Sequence, residues 1–267
     1  MRYLYLTIFC LNLYSVGLSQ GKNFKITYRH NLQFDTLKIL QDTIGMEAIL
    51  IGNSLESNYS FAKLPAQNNT TSKIKKEDTQ DASEEMQSSG THTFKIKGKG
   101  IIFDSIGNMV YIDKKAQILS VREHMTSAYI VTEEKTPVIN WKITNEVRIM
   151  KGYNCKKATT HFRGRDYIAW FTTDIPIEAA PWKFVGLPGL VIDIEDTRQQ
   201  VKIYFEKIEY PVTDKVPPFV KEGTEIAIEK YFTFRNEGLA ETMRYMESLR
   251  GPMNSTATMY SIEMRRD

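Results

Sequence analysis

Four histidines, one run of carboxylates and one internal cysteine are the residues of this 267-residue chain whose types could do chemistry. His30, His92, His124 and His161 lie far apart, and no two of them have the spacing of metal ligands. Each is expected as a partly exposed strand residue. Asp193, Glu195 and Asp196 cluster in sequence. On a strand Asp193 and Glu195 share a face, while Asp196 falls in the following turn. With His161 such a pair could serve a hydrolase as acid and base. The plainer expectation is a solvated outer face, opposite Ile192 and Ile194. There is no nucleophile elbow and no phosphate-binding glycine loop. The sequence therefore assigns no catalytic residue, no metal ligand and no cofactor.

Cys155 stands in Gly152-Tyr153-Asn154-Cys155-Lys156-Lys157, with no histidine beside it. Its only companion, Cys10, lies in the apolar leader described below. Removal of that leader rules out an internal disulfide, and a buried small hydrophobe is the expected role. Aromatic side chains are denser: Tyr153, Phe162, Tyr167, Trp170, Phe171, Trp182 and Phe184 fall within 32 positions. Aromatic residues fill the interior of a curved sheet, and they also line ligand pockets. Tyr167, Trp170, Trp182, Phe184 and Leu187 are the candidate ligand-binding residues, with Trp182, behind Pro181, at the mouth of the site.

The element that must position these residues is the stretch 181–194. Pro188-Gly189 is a type II turn signal, and Gly186 tolerates positive φ beside it. Leu190 to Ile194 is aliphatic and reads as a strand. Val201 to Ile208 alternates apolar with polar residues, so the two form a hairpin with one buried face. Phe24–Arg29 alternates likewise. Glu47–Ile51 and Ser57–Lys63 make a hairpin around Gly52-Asn53. From Phe94 a meander of short strands follows, through Phe103, Met109–Asp113, Gln117–His124, Ala128–Glu134, Ile139–Met150, Asn154–Phe162 and Tyr167–Thr173. Arg163-Gly164-Arg165-Asp166 is the turn before the last of these. Short strands punctuated by Gly, Asn and Asp predict a mainly β protein: a large curved antiparallel sheet, an open barrel or a sandwich. Glu222–Arg250 is rich in Glu, Ala, Met, Leu and Arg and predicts one or two C-terminal helices, broken near Asn236-Glu237-Gly238.

Residues 1–19 read as a signal peptide. Arg2 precedes an apolar run that ends in Gly17-Leu18-Ser19. The run is shorter than the roughly 20 apolar residues of a membrane-spanning helix. Residues 20–251 are expected to form one domain, interrupted by a disordered insertion over 65–90 that lacks the apolar side chains to offset its ordering entropy. Residues 252–267 read as a frayed tail. The net charge is +3, with 35 basic and 32 acidic residues interspersed, which argues against nucleic acid as a partner.

Several stretches, in order, resemble the GLPGLI family of exported Gram-negative bacterial proteins. They are Cys155–Thr160, Phe162-Arg163-Gly164-Arg165, Ala169-Trp170-Phe171-Thr172, Ile175-Pro176-Ile177, Pro181-Trp182-Lys183-Phe184 and Gly186-Leu187-Pro188-Gly189-Leu190-Val191. The six-residue signature fits at five positions, and Val191 replaces its final isoleucine. The likeness covers residues 147–210. It implies an exported protein, periplasmic or associated with the outer membrane, of unassigned molecular function and without known catalytic residues. It also implies a partner in the outer membrane, a TonB-dependent receptor. Together the residues and the resemblance lead to the expectation of a non-enzymatic protein that binds an apolar ligand, a peptide or an outer-membrane partner through a concave aromatic surface.

Overall fold

A computed structural model of the chain describes residues 22–32, 44–61, 106–125 and 128–250. The expected leader 1–19, insertion 65–90, tail 252–267, His92 and the strand expected from Phe94 to Phe103 lie outside the described residues. The strands are β1 (Asn23–Leu32), β2 (Ile44–Gly52), β3 (Glu56–Phe61), β4 (Asn108–Asp113), β5 (Ile118–Met125), β6 (Ala128–Lys135), β7 (Lys142–Met150), β8 (Tyr153–Phe162), β9 (Arg165–Thr172), β10 (Leu190–Asp196), β11 (Val201–Val212) and β12 (Thr224–Glu225). They form one sheet in the order β12-β6-β5-β4-β3-β2-β1-β11-β10-β9-β8-β7. All pairs are antiparallel except the short β12–β6 pair. The expected mainly-β fold with a large antiparallel sheet is therefore found, and the sheet is open rather than a closed barrel.

The sequence produces this sheet through hairpins. Lys151-Gly152 and Arg163-Gly164 each place two successive residues at positive φ, +52° and +86° in the first and +52° and +77° in the second. That is the type I′ geometry whose twist matches the flanking strands. The second turn is shorter than expected, because Arg165 already opens β9. The buried face follows the alternation: Phe24, Ile26 and Tyr28 on β1, Val201, Ile203 and Phe205 on β11.

The sheet is strongly curved. Glu134 on β6 and Arg163 at the β8–β9 turn belong to strands eight positions apart in the order. Laid flat, they would stand about 38 Å apart at the usual strand spacing. Instead their side chains meet at 2.6 Å across the interior. A large apolar core fills the concave side, and α1 (Ile228–Arg250) docks at the β6 end through Ile228 and Tyr231, packed with Ile130.

The expected break in the helix is corrected: α1 runs through Asn236, Glu237 and Gly238 without interruption. A glycine inside a helix costs only about 1 kcal/mol relative to alanine, and the surrounding good helix formers outweigh that. The helix also starts later than expected, at Ile228, because residues before it extend to form β12. Glu229 in its first turn complements the helix dipole.

Candidate functional site

After β9 the chain leaves the sheet as the loop 173–189 and re-enters it as β10. Two hydrogen bonds anchor the loop. The Ala179 N–H donates to Gly189 O at 3.2 Å, and the Val191 N–H donates to Ala179 O at 2.9 Å. A turn closes where the Phe184 N–H donates to Pro181 O at 3.2 Å. Trp182 is the first central residue of this turn and has φ +54°. Such a position ordinarily takes glycine, and a side chain there costs about 1–3 kcal/mol. Packing holds it: the Trp182 ring lies 5.0 Å from Phe184 and 6.1 Å from Phe162, and Phe184 lies 4.8 Å from Tyr167. The Trp141 indole N–H donates to Val185 O at 2.8 Å and ties the loop to the segment that leads into β7.

The two glycines of the signature do different things. At Gly189, φ is +123° and an added Cβ would stand 2.1 Å from Thr172 O, so the loop backbone lies directly on β9. At Gly186, φ is +93° and a Cβ would meet nothing closer than the Trp141 ring at 3.7 Å. Leu187, Leu190 and Val191 are buried, while Pro188 is exposed.

Of the candidate ligand-binding residues, Tyr167, Trp182, Phe184 and Leu187 lie together in the core, each at most 6 % exposed, with the three rings packed on one another. Trp182 belongs to this interior rather than to a surface. Trp170 stands on the opposite face of β9, since three positions along a strand reverse the side. It lies across from Lys157 and Asp193, with the Arg148 guanidinium 4.5 Å above its ring.

The titratable residues fall into separate sets. His161 Nδ1 is 2.7 Å from Asp166 Oδ1 on the outer face, beside an open groove of about 450 Å³ lined by Lys142, Lys157, Thr159 and Ile168. Asp193 and Glu195 share the outer face as expected, and both are held by Lys202, at 3.9 and 3.4 Å. Burial pushes the Asp193 carboxyl up to about 6, and its Oδ1 has no hydrogen-bond partner. Two strand spacings and two residues separate His161 from Glu195, about 12 Å between backbone positions. The three do not converge on one substrate atom.

Asp196 is a correction. It ends β10 facing inward, 1 % exposed, and pairs with the equally buried Arg165 at 2.6 Å. Its other oxygen accepts the N–H groups of Gln200 and Val201 at 2.6 and 2.9 Å. His30 is a second correction. It is fully buried on β1, tilted 4.9 Å from the Phe61 ring and 6.5 Å from Tyr59, and neither ring nitrogen has a hydrogen-bond partner. Burial without partners lowers its pKa to about 3 and keeps the imidazole neutral. Cys155 is buried as expected, and burial pushes its thiol up. Among the described residues no group of three or more His, Cys, Asp and Glu is placed to hold a metal.

Two features escaped sequence reasoning. One is a buried charge cluster. Glu134 accepts both Arg163 contacts, at 2.7 and 2.6 Å, and Lys183 Nζ lies 3.8 Å from it. Lys183 also stands over the Trp182 and Tyr231 rings at 5.3 and 5.7 Å. The other is β7. Among the described residues it pairs only with β8, so one edge is open. Ile143, Val147 and Ile149 are 48 %, 62 % and 74 % exposed. Their partners on β8 are Ala158, Lys156 and Asn154, so all three continue the concave face outward past the covered core. The hydrophobic positions of β7 were legible; that nothing covers them was not.

The residues 163–193, which carry the loop and the start of β10, match the model of a family described as "Protein of unknown function (Porph_ging)". No curated protein matches the chain. Two solved structures are similar in fold. One is "Structure of PNGF-II in P21 space group", with 15 % identity and a TM-score of 0.51. The other is "Structure of PNGF-II in C2 space group", with 15 % identity and a TM-score of 0.48. Both alignments cover 82 % of this chain and 34 % of the other, so the chain spans about a third of the length of the structures it resembles. At this identity the likeness is one of fold. The comparisons thus connect the signature loop with a family of unknown function, and the sheet with an architecture also found in PNGF-II.

Proposed function

We propose that this chain is an exported, non-enzymatic interaction protein of the GLPGLI type, and that it takes an extended segment of another polypeptide along the open edge of β7. The observation that carries this reading is the uncovered strip of Ile143, Val147 and Ile149 beside an unpaired strand edge. An added strand supplies main-chain hydrogen bonds to the edge, and its alternate side chains cover the apolar strip. The aromatic cluster then has a supporting role: it rigidifies the sheet that presents the edge. The resemblance in the sequence supports a periplasmic or outer-membrane-associated setting, with a TonB-dependent receptor as the neighbouring machinery.

The test is a fluorescence-polarisation titration at sub-micromolar protein. The probe is a labelled peptide of alternating pattern with the sequence of β7, Lys-Ile-Thr-Asn-Glu-Val-Arg-Ile-Met. Saturable binding is expected, weakened at least about tenfold in a Val147→Lys, Ile149→Lys variant that keeps the parent's melting temperature. No saturation, or undiminished binding by the variant, overturns the reading.

A further inference from the structure

Resting on that reading, we infer that the occupant of β7 is a second copy of this chain, paired antiparallel with β7 about a two-fold axis at Val147. The inference is carried by complementarity on both faces of the strand. In an antiparallel pair, directly opposed residues point to the same face. A two-fold axis at Val147 sets Val147 against its own copy, and Glu146 of each chain against Arg148 of the other. Glu146 and Arg148 lie on the outer face, where Glu146 meets Lys157 at 2.9 Å and Arg148 caps Trp170 at 4.5 Å. Glu146 is 59 % exposed, which leaves its carboxylate open to a second cation. On the other face Ile149 lies diagonal to Val147 of the copy, within reach for aliphatic contact. Because the axis is perpendicular to the sheet, the concave faces of the two copies run on into one another. Val147 and Ile149 of one copy lie against the same two residues of the other, as an isologous contact requires.

The neighbouring registers are poorer. An axis at Glu146 opposes two carboxylates, and an axis at Asn145 leaves Arg148 without an acidic partner across the pair. Like charges set directly opposite destabilise a ladder, so charge selects the register. The register shift between Ile143 and Val147 is an irregularity of the ladder with β8, and the proposed axis stands at its end: Arg148 and Ile149 of each copy, beyond the shift, meet Glu146 and Asn145 of the other, within it.

Sedimentation equilibrium of the full exported chain tests this. The parent is expected at twice the monomer mass. Glu146→Arg alone sets Arg against Arg at both ends, and Arg148→Glu alone sets Glu against Glu. Each is expected to weaken the dimer at least about tenfold. The double variant Glu146→Arg, Arg148→Glu restores opposite charges and is expected to dimerise like the parent. An equimolar mixture of the two single variants is expected to form a mixed dimer, because every opposed pair then has opposite sign. A monomeric parent overturns the inference, as do single variants that dimerise undiminished or a mixture that stays monomeric. A monomeric parent that still binds the strand peptide leaves the proposed function standing, whereas a monomer that binds no peptide removes both.

Discussion

Two buried groups on different strands are set to give this protein opposing pH responses, and single substitutions are expected to separate them. His30 is neutral in the fold, with its pKa lowered to about 3 by burial without partners. On unfolding it regains an ordinary value near 6.5. A depressed pKa contributes stability above the unfolded value, lost as pH falls towards the folded value. Between pH 6 and pH 4 that loss integrates to about 2–3 kcal/mol. Asp193 has the reverse sign. Its folded pKa is raised to about 6 against an ordinary carboxylate near 3.9. A raised pKa contributes stability below the unfolded value, lost as pH rises through the folded value. Over the same interval that contribution changes by about 2 kcal/mol in the opposite direction. The two nearly cancel in the parent. Urea unfolding at pH 4, 5 and 6 should therefore give a His30→Phe variant whose stability relative to the parent grows by about 2–3 kcal/mol from pH 6 to pH 4. Asp193→Asn should show the converse, its stability relative to the parent falling by about 2 kcal/mol over the same range. Parallel pH curves for either variant and the parent would refute the reasoning for that residue.

Glu134→Gln removes the carboxylate that faces Arg163 and Lys183 in the interior. Removing one partner of a buried ion pair costs about 3–5 kcal/mol, which should appear as a drop of 1 M or more, roughly, in the urea midpoint. An unchanged midpoint would show that the cluster does not join the ends of the sheet. Gly189→Ala should lose more than about 4 kcal/mol, because its Cβ would enter the Thr172 carbonyl. Gly186→Ala makes only ordinary contact with the Trp141 ring and should lose about 1–2 kcal/mol, the conformational cost of its φ. Equal melting temperatures for the two variants would contradict the roles assigned to the glycines.

Apart from β12, the strands were legible because each carries its own signal. The alternation of Phe24, Ile26 and Tyr28, the aliphatic run from Leu190, and Gly152 and Gly164 at the hairpins are local in sequence. The turn-and-strand reading of 186–194 needed nothing beyond Pro188 and two glycines. What was not legible depends on which strands are neighbours. Asp196 reads as turn punctuation until Arg165, on β9, is seen across from it. Glu134, Arg163 and Lys183 are far apart in sequence, and only the curl of the sheet brings them together. His30 has no hydrogen-bond partner among the described residues, and nothing in its sequence neighbourhood distinguished it from an exposed strand residue. Ile143, Val147 and Ile149 have the pattern of a covered strand, and only the sheet order shows that β7 is last in line. In α1 the reverse occurred: Gly238 suggested a break, but a single glycine is too weak a breaker among strong helix formers.

The place of β1 in the sheet bears on how the protein forms. From β1 to β6 and from β7 to β11 every strand pairs with its successor, and apart from β3 and β4, which stand far apart in sequence, the partners are near neighbours along the chain. The seam between β1 and β11 is different, since Lys25 pairs with Glu209 and Leu32 with Val201. Closing a loop of that length costs roughly 4–5 kcal/mol of chain entropy before any contact across it is made. The seam is thus the slow, non-local step on which the rate of folding depends. β1 is also synthesised well before β11. Until β11 is made, the edge of β1 carrying Phe24, Ile26 and Tyr28 lacks its partner, and the newly made chain must be kept from other strands throughout that interval.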